Sequence, residues 1–259
     1  MNAAAPRRAG GPPATARQLV AEALGTALLL LVVVGSGIAT SQDGASSTQL
    51  FQHAVVVGLA LVALVHTFLD VSGAHLNPAV TLVDVVVGGR SLRSAGGYVV
   101  AQVVGACAGV VVANVLFDAP AVALATTVRG GPALLLSEVV ATAGLVLVIH
   151  GTVRSGRVSA VPGVVGAYVA AAIFATSSTS FANPAVTLAR TLSDTWTGIA
   201  PGGVPGFVAA QLAGALTVAV LVRWLFAPEP SADASPPTAP DVLPHVEHPD
   251  PVPTATEPS

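Results

Sequence analysis

Two asparagines carry the chemistry most visible in this sequence. Residues 77–82 and 183–188 both read Asn-Pro-Ala-Val-Thr-Leu. Asparagine is a favoured helix N-cap, because its side-chain oxygen accepts an N–H from the first turn. Proline suits the first helical position, where its missing N–H would have no partner anyway. Asn77-Pro78-Ala79 and Asn183-Pro184-Ala185 therefore each start a short helix. Its N-terminus carries roughly half a positive elementary charge. The capping amide keeps an NH2 group that can donate to the oxygen of a neutral solute. Two such N-termini facing each other oppose cations, protonated water included.

Two carboxyls and several histidines extend the inventory. Glu22 and Glu138 stand inside apolar runs, and an intramembrane carboxyl is a functional candidate by default. Their matching placement favours a structural role instead, each bonding backbone N–H groups of the loop that leads into a half-length helix. His75, two residues before Asn77, reads as a vestibule residue, with a pH gate as the rival reading. His66 reads as a packed, hydrogen-bonded histidine. His53 and His150 fall near span ends and read as interfacial. No pair of these histidines has metal-ligand spacing, and no cofactor is expected. Asp84 and Arg190 each follow their asparagine by seven residues. Arg190 lies one turn beyond Val186 and could reach the outer mouth; the alternative partners for it are the carbonyls at the half-helix C-terminus.

The elements that must position these residues follow from composition. Of 259 residues, 53% are hydrophobic and 9% charged, against about 25% charged in a soluble domain. So few charges cannot cover a water-exposed surface, and the lipid bilayer is the solvent that fits. A net charge of −3 without a basic stripe argues against nucleic acid. A single cysteine excludes a disulfide scaffold.

Apolar runs over about 18–39, 50–69, 92–117, 133–151, 159–176 and 203–226 are long enough to span. The runs beginning at Asn77 and Asn183 are too short and read as re-entrant. Residues 1–17 form a flexible basic tail, and residues 227–259 a Pro-rich, acidic, disordered one. The fold expected is all-α: six transmembrane helices and two re-entrant half-helices. The first repeat covers about 18–117 and the second about 132–226. Each repeat holds three spans, so the copies lie in opposite orientations across the membrane, as in other inverted-repeat transport proteins. Gly105 with Gly109, and Gly163 with Ala167, have the small-residue spacing that lets helices approach closely. Eight arginines fall on one side of this topology and two, Arg129 and Arg190, on the other. That asymmetry puts both termini in the cytoplasm, with the chain in the cell membrane.

With these motifs in place, residues 18–226 resemble the major intrinsic protein family, the aquaporins and aquaglyceroporins. The paired Asn-Pro-Ala motifs, the SGAHLNPAV segment at 72–80 and the duplicated Glu22 and Glu138 carry the resemblance. It implies a homotetramer with one pore per subunit, passive conduction in both directions and no cofactor. It also places an outer selectivity filter at Val57, Ala171, Ser180 and Val186. Most members have arginine where this chain has Val186. In that respect the pattern is nearest to bacterial members without the filter arginine. Loss of a guanidinium removes five fixed donors and a full charge. The resemblance thus implies a wide filter passing water, glycerol, urea or metalloid hydroxides such as arsenous acid. A water-selective pore and an ion-coupled secondary transporter are the alternatives. An enzyme reading leaves the duplicated motif unexplained.

Overall fold

A bilayer offers backbone N–H and C=O groups no partner, so an apolar chain must close its hydrogen bonds within helices. The computed structural model describes residues 14–41 and 47–226 and is all-helical there; most of the expected basic tail and the whole acidic tail lie outside the described residues. The helices are α1 (Ala16–Thr40), α2 (Ser47–Ser72), α3 (Pro78–Val86), α4 (Leu92–Leu116), α5 (Pro132–Arg154), α6 (Val161–Ala175), α7 (Pro184–Ala189) and α8 (Val204–Leu225). Six are long and apolar enough to cross a membrane. At 25 residues α1 reaches about 37 Å, against a hydrocarbon core of about 30 Å. The α6 helix is shorter, at 15 residues, and gains length from the 3-10 turn Val158–Ala160 before it. This is a multi-pass membrane architecture of six spans and two half-helices.

The repeats are visible in the packing. Helix α1 packs on α4 as α5 packs on α8, and α2 meets α6 across the repeat boundary. Close approach explains the small residues. A Cβ on Gly105 or Gly109 would overlap the carbonyls of Ala23 and Ala27 on α1, and one on Gly214 would overlap that of Val139 on α5. At the α2–α6 crossing Gly58 and Gly166 face each other's backbones. Here the expected pair is corrected: nothing lies within 4 Å of a Cβ on Gly163. The α6 face that meets α2 runs through Gly166, three residues further round the helix. Large apolar side chains such as Leu59, Val100, Val104, Leu136 and Val220 are exposed on the outer surfaces of the spans, as lipid contact requires.

The half-helices end differently. The α3 helix continues to Val86, whereas α7 stops at Ala189 and tightens into the 3-10 turn Arg190–Leu192. Hydroxyls compete with the helix there: Thr191 donates back to the Leu188 carbonyl, and Ser193 donates to Asn114.

Candidate functional site: a lined cavity at paired half-helices

Helix α2 ends at Ser72, and the chain turns back through residues 73–76 to Asn77. Gly73, Ala74 and Leu76 have φ of 87°, 47° and 49°. For a non-glycine residue the left-handed region costs roughly 1–2 kcal/mol, so something must hold the segment. Glu22 does so, buried on α1. Its carboxylate accepts from the backbone N–H groups of His75 (3.0 Å) and Leu76 (2.7 Å) and from the Ser72 hydroxyl (2.6 Å). Gln102 on α4 donates to Glu22 (2.7 Å) and to Thr81 Oγ1 on α3 (3.1 Å). The lead-in segment is thus tied to two spans and to the half-helix that follows it.

The second repeat uses the same device. Thr179, Ser180 and Ala182 have φ of 62°, 47° and 47°. Buried Glu138 accepts from Phe181 N–H and Ala182 N–H, both at 2.9 Å. Gln211 on α8 donates to Glu138 (2.6 Å) and to Thr187 Oγ1 (2.8 Å). The two carboxyls therefore satisfy backbone donors that the turned-back segments would otherwise leave unpaired in a dry interior, where each costs about 1–3 kcal/mol.

The asparagines cap as their motif demands. Asn77 Oδ1 accepts from Ala79 N–H at 2.8 Å; Asn183 Oδ1 accepts from Ala185 and Val186 N–H at 3.0 and 3.2 Å. Their amide nitrogens reach across the pseudo-twofold. Asn77 Nδ2 donates to the Ala182 carbonyl (2.8 Å), and Asn183 Nδ2 donates to the Leu76 carbonyl (2.7 Å). One amide hydrogen of each asparagine locks the two segments together, and the other has no protein partner among the described residues. The sequence did not reveal this mutual lock, because it joins residues 105 and 107 apart.

A cavity of about 460 Å³ runs past both asparagines. Its lining extends from Arg154 and Val158 at one end to His53 and Arg190 at the other. Both lead-in segments, residues 73–76 and 179–182, contribute to the wall. Leu29, Leu61, Val65, Val80, Leu145 and Val165 supply much of the rest of the wall, with polar side chains such as His75, Asp84 and His150 on the Asn77 side.

Of the four expected filter residues, Val57, Ser180 and Val186 line this cavity and are buried. Ala171 does not: it is exposed on the outer face of α6, and Ile173 lines the cavity instead. The reason is helical phase. Two residues turn a helix by about 200°, so counting back from Asn183 through the non-helical residues 176–182 lands on the wrong face.

The histidines also need correction. His53 is not interfacial but 2% exposed and part of the lining. Its Nδ1 lies 2.8 Å from the Ser36 hydroxyl, and its ring packs edge-on against Trp196 with centroids 5.0 Å apart. It stands one turn before Val57 on α2, a spacing that could have identified it. His150 lines the cavity near its other end. His66 is exposed on the outside of α2 rather than packed.

His75 lines the cavity beside a small polar cluster. Its Nδ1 is 3.0 Å from Thr81 Oγ1, and its Nε2 is 3.7 Å from Asp84. Arg90 pairs with Asp84 at 3.3 Å and lies 3.9 Å over the Tyr98 ring. At the opposite end Arg190 Nε donates to the Thr197 carbonyl, so its partner belongs to the following loop rather than to the half-helix C-terminus. Arg129 braces the same loop, donating to the carbonyls of Gly198 (2.8 Å) and Trp196 (2.7 Å).

Comparison with known proteins agrees with this architecture. The family model described as major intrinsic protein matches residues 12–181. Aquaglyceroporin AqpS of Rhizobium meliloti (strain 1021) is 48% identical over 227 residues, covering 86% of this chain and 97% of that protein. The glycerol uptake facilitator protein of Escherichia coli (strain K12) is 40% identical over 92 residues, covering 35% of this chain and 32% of that protein. The X-ray structure of the aquaglyceroporin from Plasmodium falciparum shares the fold, with a TM-score of 0.63 and 22% identity, over 82% of this chain and 95% of that one. Duplicated capped half-helices, the carboxyls that hold them and the extent of these matches lead to one assignment: the chain belongs to the major intrinsic protein family.

Proposed function

We infer that this protein is a passive transmembrane channel for water and small neutral solutes, and not an enzyme. One observation carries the reading: two asparagine amides, each with a donor hydrogen to spare, stand beside a single apolar-walled cavity lined from both ends of the spans. Apolar walls give a passing molecule few partners, so donors at the asparagines and carbonyls of the lead-in segments set its path. An ion-coupled transporter needs a titratable or ion-coordinating group free at the midplane. Glu22 and Glu138 are engaged by backbone N–H groups and glutamines, which supports a channel over a transporter.

The solutes we propose are glycerol, urea or metalloid hydroxides such as arsenous acid. The wall made by Val57, Ser180 and Val186, with Ile173, has no guanidinium three residues after Asn183. A ring of this kind is wider and less selective than one closed by arginine. The similarity to an aquaglyceroporin over most of both chains supports the same solute class. Family membership supports a homotetramer with one pore per subunit, and the arginine asymmetry supports cytoplasmic termini in the cell membrane.

Proteoliposomes shocked with sucrose and then with glycerol test the reading. Shrinkage in sucrose and re-swelling in glycerol, both faster than in empty liposomes, are expected. Fast shrinkage without fast re-swelling would mean a water-selective pore, the second reading, which the bulk of Phe181 and Arg190 along the cavity favours.

A further inference from the structure

Three residues after Asn183 stands an apolar side chain, Val186, and one turn further on a buried guanidinium lines the same cavity. Arg190 lies one turn beyond Val186, in the 3-10 turn that follows α7. It is 3% exposed. Nε is held by the Thr197 carbonyl, and the guanidinium carbon lies 3.4 Å above the Phe181 ring. Nη2 is buried with no hydrogen-bond partner. The ion pairs found among the described residues both involve Asp84, so Arg190 has no carboxylate within 4 Å; Glu138 acts on it from further off, against the like charge of Arg129.

Nη2 itself is sealed from the cavity, so a solute meets the rest of the side chain that lines it. A buried charge without an ion pair is costly, and it persists where something supplies an acceptor. The cavity that Arg190 lines is the place for that acceptor. The surrounding loop is built to hold this arrangement. Trp196 donates its indole N–H to the Gly37 carbonyl (2.8 Å) and packs against His53; Thr197 next to it accepts from Arg190; Arg129 braces the Trp196 and Gly198 carbonyls. One loop thus fixes two of the polar side chains that line this end of the cavity, His53 and Arg190, beside Ser180.

We propose that Arg190 is the specificity-determining residue of the outer half of the pore, its guanidinium displaced one helical turn from the Val186 position. There it binds the acceptor oxygen of a small hydroxylated solute. Its charge holds cations off before the solute meets the apolar wall of Val57, Ile173 and Val186. The outer filter is therefore split: a cationic donor site outside, and a wide apolar passage inside that the guanidinium does not narrow. His53, one turn before Val57, is the second polar group of the donor site. This proposal rests on the channel reading and adds to it where discrimination arises.

The test compares wild type with Arg190→Gln, which can still donate to the Thr197 carbonyl but carries no charge, and with Arg190→Lys. Proteoliposomes are assayed for glycerol and water influx by stopped-flow light scattering, and for proton influx with an internal pH dye. Arg190→Gln is expected to raise proton influx and to lower the glycerol-to-water ratio roughly tenfold, the weight of a charged hydrogen bond. Arg190→Lys keeps the proton barrier and loses part of the ratio. Val186→Arg in the Arg190→Gln background restores the barrier, which a merely structural role for Arg190 does not predict. Wild-type proton influx and solute ratio in the glutamine variant overturn the proposal. If that variant fails to insert, an unchanged solute ratio in Arg190→Lys overturns it. A wild type no faster than empty liposomes for water and glycerol refutes the channel reading instead. A wild type that passes water alone leaves the proton arm to decide the role of Arg190.

Discussion

Seven residues after its capping asparagine, the first half-segment has Asp84 and the second has Arg190. Around those positions the two repeats match closely. Ser72 corresponds to Ser178, Thr81 to Thr187, Gln102 to Gln211 and Glu22 to Glu138; both serines accept from the N–H two residues on and both glutamines bridge carboxylate and threonine, though only Ser72 also donates to its carboxylate. Even the aromatic contacts correspond: His75 packs on Tyr98 with centroids at 5.4 Å, and Phe181 on Phe207 at 5.2 Å. What differs is the polarity of the two ends. The Asn77 side carries an imidazole and a carboxylate paired with Arg90; the Asn183 side carries a phenyl ring under a guanidinium that has no ion pair among the described residues. The shared parts are those that hold a turned-back chain inside a membrane. The unshared parts face the cavity ends, where solutes arrive.

The largest effect should come from breaking a shared part. Glu22→Ala leaves four donors without their acceptor, and Glu138→Ala leaves three. A hydrogen bond to a charged group contributes about 1.5–3 kcal/mol, and a buried donor left without its acceptor costs about as much. Both variants are expected to lose thermal stability in detergent, Glu22→Ala more than Glu138→Ala. Equal melting to wild type would show that the carboxyls do not hold the segments.

Next are the crossings. The α1–α4 contact uses Gly105 and Gly109, whereas Val218 stands at the place equivalent to Gly109 on α8. Overpacking costs typically about 1–3 kcal/mol. Gly109→Ala should therefore lower the melting temperature clearly, because its Cβ meets backbone that cannot move aside. Gly163→Ala should leave melting unchanged, since nothing lies near its Cβ.

Val186→Arg sharpens the comparison at the mouth. A second guanidinium one turn inside Arg190 narrows the apolar wall. Glycerol influx is expected to fall on the order of tenfold, equivalent to about 1.4 kcal/mol at the barrier, with water influx reduced less. Unchanged glycerol influx in the inserted variant would contradict the assignment of Val186 to the constriction.

The smallest effect belongs to Asp84→Asn. Its partners His75 and Arg90 are only partly buried, and pairs of that kind contribute about 0–1 kcal/mol. Melting should shift little. A large loss would mean that the polar cluster at this end is structural rather than a vestibule lining.

Much of this organisation could be read from the chain. The six spans and two half-helices were legible because a bilayer sets their length and because Asn-Pro starts a helix whatever surrounds it. Glu22 and Glu138 were legible as a pair because the repeat places them alike. Ala171 was misplaced because helical phase is lost through residues 176–182, where three residues take left-handed backbone. The place of His53 in the lining was readable from its position one turn before Val57, but its surroundings were not. Its surroundings come from a loop far along the chain: Trp196, which packs on it, is anchored to the Gly37 carbonyl 159 residues away. Contacts of that range leave no periodic mark in the sequence. Arg190 was visible as an outer-mouth candidate, but its burial and its idle Nη2 depend on the Thr197 carbonyl and the Phe181 ring.

The most direct measurement is the initial rate of glycerol influx into wild-type proteoliposomes as a function of glycerol gradient, with and without a proton gradient across the same membrane. A passive channel gives a rate that rises linearly with the glycerol gradient and ignores the proton gradient. A rate that saturates at low glycerol, or that follows the proton gradient, would mean a transporter and contradict the account.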